Sequence, residues 1–387
     1  MTPIRIAQVG GRGFGHVHLQ RIDRLAAMGR CVLVGLADPA GPLPDRTGPN
    51  GGPLPWFATL PELLAAIPVD IVSIATPIGT HLALALAALR AGADVLLEKP
   101  PVTSLAEFHA LVDEQRRTGR AVQVGFQSLG GAGVQAMQSY LADGVLGDDP
   151  ELHARGCWVR DRAYYQRASW AGKRVLNGRR VADGVTTNPL AHAIQTALAI
   201  QGTVDVEQTA SITTELYHAH DIEADDTSFV RILPTVGRPI NVALTLCGSE
   251  PTDPTVELVG RRARARLWYT QDRVDFINGD DTTTTQYGRV DLLENLLDHR
   301  ERGDPLVSPL TASGAFMAML EATQDRPDPV AIDPRYVTWV GHGSAAHPVI
   351  DGIEHWLDAA LASGDGFVGS GAPWGRSAAM TSWSPPH

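Results

Sequence analysis

A chain of 387 residues exceeds the roughly 250 at which one hydrophobic core usually stops growing, so two domains are expected. Its 44% of hydrophobic residues suffice for a dry core in each. With 32 Lys and Arg against 43 Asp and Glu, the net charge of −11 excludes a general binder of nucleic acid or anionic membranes, whose phosphates demand clustered cations.

The first 125 residues alternate β-branched runs with helical patterns. Residues 4–9, 31–37, 71–75, 95–97 and 121–124 read as strands, and 15–28, 80–91 and 104–118 as helices. Such alternation implies right-handed crossovers and a mostly parallel, doubly wound sheet covered on both faces. Residues 39–55 break the rhythm with six prolines and four glycines, and read as a surface loop. That loop either folds over a ligand at the end of the second strand or is an exposed insertion.

Beyond a helix near 134–142 the pattern turns β-rich, with strands near 152–159, 208–217, 227–233, 241–246, 255–259 and 263–269. A helix near 189–200 interrupts them, and helices near 290–302, 310–322 and 348–362 follow. Few crossovers mean a mainly antiparallel sheet with helices on one face, whose second face a partner subunit is expected to cover. The fold class is therefore α/β in the first domain (1–127), followed by an α+β domain (128–387) with a large open sheet. Alternating Arg262, Arg264 and Arg266, after Arg261, suggest the solvated face of a strand, and the Gly/Ser/Pro-rich end from Ser363 a tail along the surface.

Cys31, Cys157 and Cys247 lie far apart without C-x-x-C spacing, so neither a disulfide framework nor a structural zinc site is expected. A reducing, cytoplasmic setting fits, since the chain opens directly on a strand and its longest apolar stretch, 82–89, stops at Arg90, short of the roughly 20 residues that span a membrane.

The first strand runs into Val9-Gly10-Gly11-Arg12-Gly13-Phe14-Gly15-His16 and then a helix, where free backbone amides and the helix dipole favour an anion. The spacing departs from G-x-G-x-x-G by Arg12, which either points away from a pyrophosphate or pairs with it. The turn binds a dinucleotide or is purely structural. Asp38 ends the second strand, where a carboxylate accepts ribose hydroxyls and repels a 2′-phosphate, favouring NAD over NADP; otherwise it is a solvated turn residue. Arg46, in the Pro-rich loop, is a residue that could accept such a phosphate. Lys99, in Glu98-Lys99-Pro100, either stands where a strand's carboxyl end opens on the ligand crevice or is a chance surface lysine.

Ala75-Thr76-Pro77-Ile78-Gly79-Thr80-His81, Glu98-Lys99-Pro100 and the opening glycine turn together resemble the Gfo/Idh/MocA family of oxidoreductases, relatives of glucose-fructose oxidoreductase and inositol dehydrogenase. The resemblance continues through Val124-Gly125-Phe126-Gln127 and Asn188-Pro189-Leu190-Ala191-His192 to Gly371-Ala372-Pro373-Trp374. It implies an NAD(P)-binding Rossmann domain and a second domain whose open sheet builds homodimers or homotetramers. The family's lysine falls on Lys99 and its cofactor contacts on Gly10, Gly13, Phe14, Asp38, Thr76, His81 and Glu98; Arg12, Pro77 and Gln127 complete the candidate cofactor site.

The family's D-x-x-x-H pair falls on Asn188 and His192, so its acid is replaced. Lys99 and His192 are the expected proton carriers, with lowered proton affinities for want of that acid. Pro189 fits the first turn of a helix that Asn188 would cap, so Asn188 is either a cap or a substrate ligand. In 158–173, Arg160, Tyr165 and Trp170 are candidate sugar contacts, or else core or oligomer contacts. His16/His18 and His218/His220 lack an identifiable third ligand, so no metal is expected; Glu223, Asp225 and Asp226 read as a polar strand edge. The reading is an NAD(P)-dependent oxidoreductase, NAD favoured, acting on a secondary alcohol of a sugar, inositol or related polyol. Alternatives are a transient-oxidation epimerase or glycoside-cleaving enzyme with retained NAD, and a non-catalytic NAD-binding regulatory protein.

Overall fold

The computed structural model describes residues 3–385. They form two compact units, the first running to Gly130 and including Val290–Thr311, the second comprising Gly131–Arg289 and the chain from Ala312.

In the first unit β1 (Ile4–Val9), α1 (Phe14–Ala27), β2 (Cys31–Ala37), β3 (Trp56–Phe57), α2 (Leu60–Ala66), β4 (Ile71–Ile74), α3 (His81–Arg90), β5 (Asp94–Leu97), α4 (Leu105–Thr118) and β6 (Val122–Val124) follow one another. The sheet is wholly parallel in the order β3-β2-β1-β4-β5-β6. Strand order reverses between β1 and β4, and ligands of such sheets bind outside the carboxyl ends at that point. Every residue of β4, β5 and β6 is buried, as strands covered on both faces require. The short β3 and α2 were not legible in the sequence. Thr59 caps α2 by accepting a hydrogen bond from the Glu62 amide, and Leu60 and Leu63 are its buried residues.

The second unit contains α5 (Ala132–Ala142), β7 (Glu151–Val159), α6 (Arg162–Gln166), the hairpin β8 (Val175–Leu176) and β9 (Arg179–Arg180), α7 (Ala191–Gln201), β10 (Thr209–His218), β11 (Thr227–Pro234), β12 (Ile240–Thr245), β13 (Cys247–Val259), β14 (Arg264–Trp268), β15 (Arg273–Asn278) and β16 (Asp281–Gln286). The chain then gives α8 (Leu292–Arg302) to the first unit and ends with α9 (Gly314–Gln324), β17 (Val330–Ala331), β18 (Val337–Val340), β19 (His347–Ile350), α10 (Ile353–Ser363), α11 (Gly366–Gly369) and β20 (Met380–Trp383) in the second. The ten-stranded sheet runs β16-β15-β14-β13-β7-β12-β11-β10-β17, with β20 also on β10. Its pairs are antiparallel except β7 with β12 and β10 with β17. On β14, Ala265 and Leu267 are buried while Arg264 and Arg266 lie on the outer side against Glu257, the alternation read from the sequence.

Three expectations are corrected. Residues 290–311 were assigned to the second domain, but Leu292, Leu293, Leu296 and Leu297 of α8 join the core under α1 and β1, while Arg300 pairs with Asp70 and Asp94. Helices do not keep to one face of the large sheet. Gly156 of β7 faces Leu190, where any side chain would collide, whereas its neighbours Arg155 and Cys157 lie on the α10 side; successive strand residues point to opposite faces, so both faces of this half are covered by the chain itself. The end of the chain is no surface tail either: Phe367 and Trp374 are fully buried with Tyr217 and Phe229. Among the described residues no helix is long and apolar enough to cross a membrane.

Glu215 of β10 holds this terminal segment down. Its buried carboxyl group accepts hydrogen bonds from the Val368 amide at 3.2 Å and the Tyr217 hydroxyl at 3.2 Å. Gly366, at φ +73°, passes so close that a Cβ would strike the carboxyl oxygen. Burial pushes the Glu215 pKa up to about 7. A raised acid binds its proton more tightly folded than unfolded, so this contribution is full below about pH 4.5 and fades as pH rises through 7. Glu215→Gln is expected to flatten that loss, worth roughly 3 kcal/mol in denaturant melts at pH 5 and pH 8.

Candidate functional site

At the carboxyl edge of the parallel sheet, Gly10 takes φ +77° and Gly13 φ +55°, conformations that glycine reaches without strain. A Cβ on Gly15 would overlap the Gly10 carbonyl, so this glycine lets α1 pack against the turn, while around Gly13 the space is open. α1 starts without a side-chain cap or an acidic residue in its first turn, so neither opposes an anion there. Phe14, its first residue, is 48% exposed. The amides of Gly10, Gly11, Gly15 and His16 are held by other groups of the chain, so those of Arg12, Gly13 and Phe14 are the ones the turn offers a pyrophosphate.

Asp38 is buried at the end of β2. Its carboxylate accepts from the Gly11 amide at 3.0 Å and the Ala40 amide at 2.9 Å, and pairs with Arg12 at 2.9 Å. It is therefore not a solvated turn residue. Arg12 also donates to the Ala40 and Gly41 carbonyls, which sets its guanidinium beside Asp38. Arg46 pairs with Asp23 at 2.6 Å, so the Pro-rich loop is fastened to α1.

The segments after β4, β5 and β6 carry Thr76, Pro77 and His81, then Glu98 and Lys99, then Gln127. Both His81 ring nitrogens lie 2.9 Å from carbonyl oxygens, of Thr76 and Pro100, and burial lowers its pKa. His81 is thus a brace between the loop after β4 and the turn after β5. The Thr76 hydroxyl meets that of Thr80, which donates to the Pro77 carbonyl. Glu98 turns inward: its carboxylate meets His18 at 2.8 Å and accepts from Gln127 and the Lys99 amide, while Ser73 holds the other His18 nitrogen. Lys99, half-buried, precedes the cis peptide to Pro100.

In the second unit Asn188 is not a helix cap. It lies in the turn before α7, whose N-cap is Leu190, and its amide donates to the Asp183 carboxylate at 2.5 Å. Asp183, buried, also accepts from the Gly172 amide and pairs with Arg167 at 3.1 Å. A carboxylate is therefore present beside position 188, five residues earlier in the chain, with its charge met by arginine. The Ala-Asp-Gly stretch before Asn188 was the only sequence signal for it. His192 is half-buried in the first turn of α7.

The aromatic segment is stacked with its own arginines. Arg160 lies over Trp158 and Tyr164, and Arg167 lies 3.7 Å from the Tyr164 centroid and 4.6 Å from that of Trp170. One face of Trp170 is thus already occupied. Tyr165 instead packs on His220 at 4.6 Å, beside a cavity of about 590 Å³ also lined by Arg162, Lys173 and Trp339. Burial, and then the charges of Asp226 and Cys247, push the Tyr165 pKa well up. Asp225 and Asp226, expected on a polar strand edge, are buried: Asp225 accepts from Thr186 and Ser228, Asp226 from backbone amides and Thr227.

Asn188→Asp, the residue of the family pattern, places a second carboxyl group against Asp183. Two adjacent carboxyls cannot both ionise cheaply. The variant is expected to lose about 1–3 kcal/mol of stability relative to the parent between pH 5 and pH 8, measured by denaturant unfolding.

Residues 4–126 match the oxidoreductase family with an NAD-binding Rossmann fold, Gfo/Idh/MocA. Inositol 2-dehydrogenase of Gluconacetobacter diazotrophicus is 30% identical over 151 residues, 38% of this chain and 44% of that protein. The Streptomyces avermitilis inositol 2-dehydrogenase is 33% identical over 152 residues, 38% and 43% respectively. The chain thus aligns with less than half the length of these curated relatives. The fold is shared more widely: an inositol dehydrogenase homologue from Azotobacter vinelandii, in complex with NAD+, superposes with a TM-score of 0.68 at 20% identity, over 84% of this chain and 95% of that one. The WlbA dehydrogenase of Bordetella pertussis, in complex with NADH and UDP-GlcNAcA, does so at 0.66 and 20% identity, over 84% and 96%. Over its Rossmann domain, residues 4–126, the chain is thus similar to the Gfo/Idh/MocA family of oxidoreductases.

Proposed function

We propose that this protein moves a hydride between NAD and a secondary alcohol of an inositol, sugar or related polyol. The observation that carries the reading is the carboxyl edge of the first unit's sheet, where an uncapped glycine turn, Asp38 and the Glu98-Lys99-Pro100 turn stand together. Similarity to inositol 2-dehydrogenases over about 150 residues supports the substrate class.

Hydride exchange is the chemistry NAD supplies when bound. The chain's own residues supply binding and proton management. The amides of the glycine turn and of the first turn of α1 hold the pyrophosphate, and Asp38 accepts the ribose hydroxyls. Glu98, itself held by His18 and Gln127, fixes the turn that presents the Lys99 ammonium. Lys99 donates a hydrogen bond to the substrate oxygen. His192 takes the hydroxyl proton in the oxidising direction, with Asn188 and the aromatic segment from Arg160 to Trp170 contributing substrate contacts.

We also propose a homodimer or homotetramer built on the part of the large sheet that the chain leaves uncovered. A groove of about 640 Å³ there is lined by Glu151, His153, Arg155, Glu257, Arg264 and Arg266 among others, charges of both signs that a second copy can match.

Incubation with NAD and a panel of cyclitols, aldoses, uronates and glycosides, following reduced nicotinamide and substrate loss together, tests the reading. Accumulation of NADH with a cyclitol or sugar is the expected result; substrate loss without NADH would instead mean transient oxidation. Lys99→Met and His192→Ala are each expected to lower kcat about 100-fold or more with NAD binding intact, and unchanged turnover in both discards the assignment. Asp38→Ala is expected to shift the NAD over NADP preference by about tenfold towards NADP, or about 1.4 kcal/mol, in kcat/KM.

A further inference from the structure

Where β10 turns into β11, two metal-ligating side chains of that turn meet a third from the start of β13 out of water. Nδ1 of His220, a carboxylate oxygen of Asp226 and Sγ of Cys247 all lie within 4.8 Å of one another, and all three residues are buried. Nδ1 is 2.9 Å from Oδ2 of Asp226 and 3.7 Å from the cysteine sulfur. Around a tetrahedral zinc ion, nitrogen, oxygen and sulfur donors sit roughly 3.3–3.6 Å from each other, so only small shifts separate this arrangement from a coordination shell.

The ring's other nitrogen sets the chemistry. Nε2 is 3.0 Å from the Arg160 carbonyl, an oxygen that can only accept, so Nε2 carries a proton. Metal-bound histidines are commonly oriented by such a contact. Nδ1 then faces Oδ2, another acceptor, which already takes the Ala219 and His220 amides. A cation must lie between them, either a proton or a metal ion. A metal ion would also engage the thiol of Cys247, whose hydrogen-bond partners here are Asp226, Thr227 and Thr245. The buried Tyr165 hydroxyl has no hydrogen-bond partner, and its ring packs tilted on that of His220. Tyr165 and His220 line the 590 Å³ cavity, which gives an ion a route in.

We propose that His220, Asp226 and Cys247 bind a thiophilic divalent transition ion such as zinc. The ion ties the start of β13 to the β10–β11 turn, and with three protein ligands its fourth position is left to a further donor. In the sequence, the His218/His220 pair lacked a third ligand because Cys247 lies 27 residues beyond His220 and is delivered only by sheet pairing.

The full chain, stripped with chelator and dialysed against Zn²⁺, is to be assayed by competition with a chromophoric chelator and by thermal melting. One equivalent held per chain, with affinity at least tenfold lower in Cys247→Ser and His220→Gln, is the expected result. Cobalt loading of the unmodified protein covers the case in which a variant fails to fold: a sulfur-to-cobalt charge-transfer band is expected, and Cys157→Ser should keep it. Zinc lost entirely to the chelator, zinc retained equally by both variants, or no such band would each overturn the proposal and leave an imidazolium–carboxylate pair.

Discussion

The Glu98 carboxylate and the His18 imidazole meet 2.8 Å apart with both groups out of water, where β5 runs out at the carboxyl edge of the parallel sheet. A buried carboxylate without partners costs several kcal/mol, so its position is set by the groups that satisfy it. Those groups come from α1 through His18, whose other ring nitrogen is held by Ser73 of β4, and from the segment after β6 through Gln127. Gly125 belongs to the same fit, because a Cβ there would press on the carboxylate. Four elements are thereby referred to one side chain, and the lysine that follows it inherits their rigidity. Pre-organisation of this kind is what a proton donor needs, since the cost of orienting it is met at folding.

The second unit treats buried charge in the same way and with different residues. Asp183, Asp225 and Asp226 are each enclosed and each surrounded by donors: Arg167, Gly172 and Asn188 for the first, Thr186 and Ser228 for the second, backbone amides and His220 for the third. All three lie in the loops at the carboxyl end of β7, beside the turn that leads into α7. The aromatic rings between Trp158 and Trp170 are stacked by arginines from their own segment, which stiffens it. Glu215 plays the corresponding part for the terminal segment, whose Phe367 and Trp374 replace solvent over β10 and β11.

Much of this protein is determined by the sequence alone, wherever the information is local. The parallel strands are short, mainly apolar runs, the glycine turn sits between strand and helix, and Glu98-Lys99-Pro100 marks a strand end, so the parallel sheet of the first domain was legible without coordinates. The alternation of Arg264 and Arg266 with Ala265 and Leu267 likewise disclosed a strand with one wet face, because side chains on a strand alternate. What tertiary structure alone decided concerns partners distant in the chain. Nothing local says that α8 returns to the first core, that α10 covers the far face of β7, or that Phe367 and Trp374 lie beneath a segment rich in Gly and Ser. The same holds for charges: Asp183 next to Asn188, Arg12 against Asp38, and Cys247 beside His220 and Asp226 are meetings produced by sheet register and loop closure. Periodicity reports which side of an element is apolar, but the identity of what packs against it is a property of the whole chain.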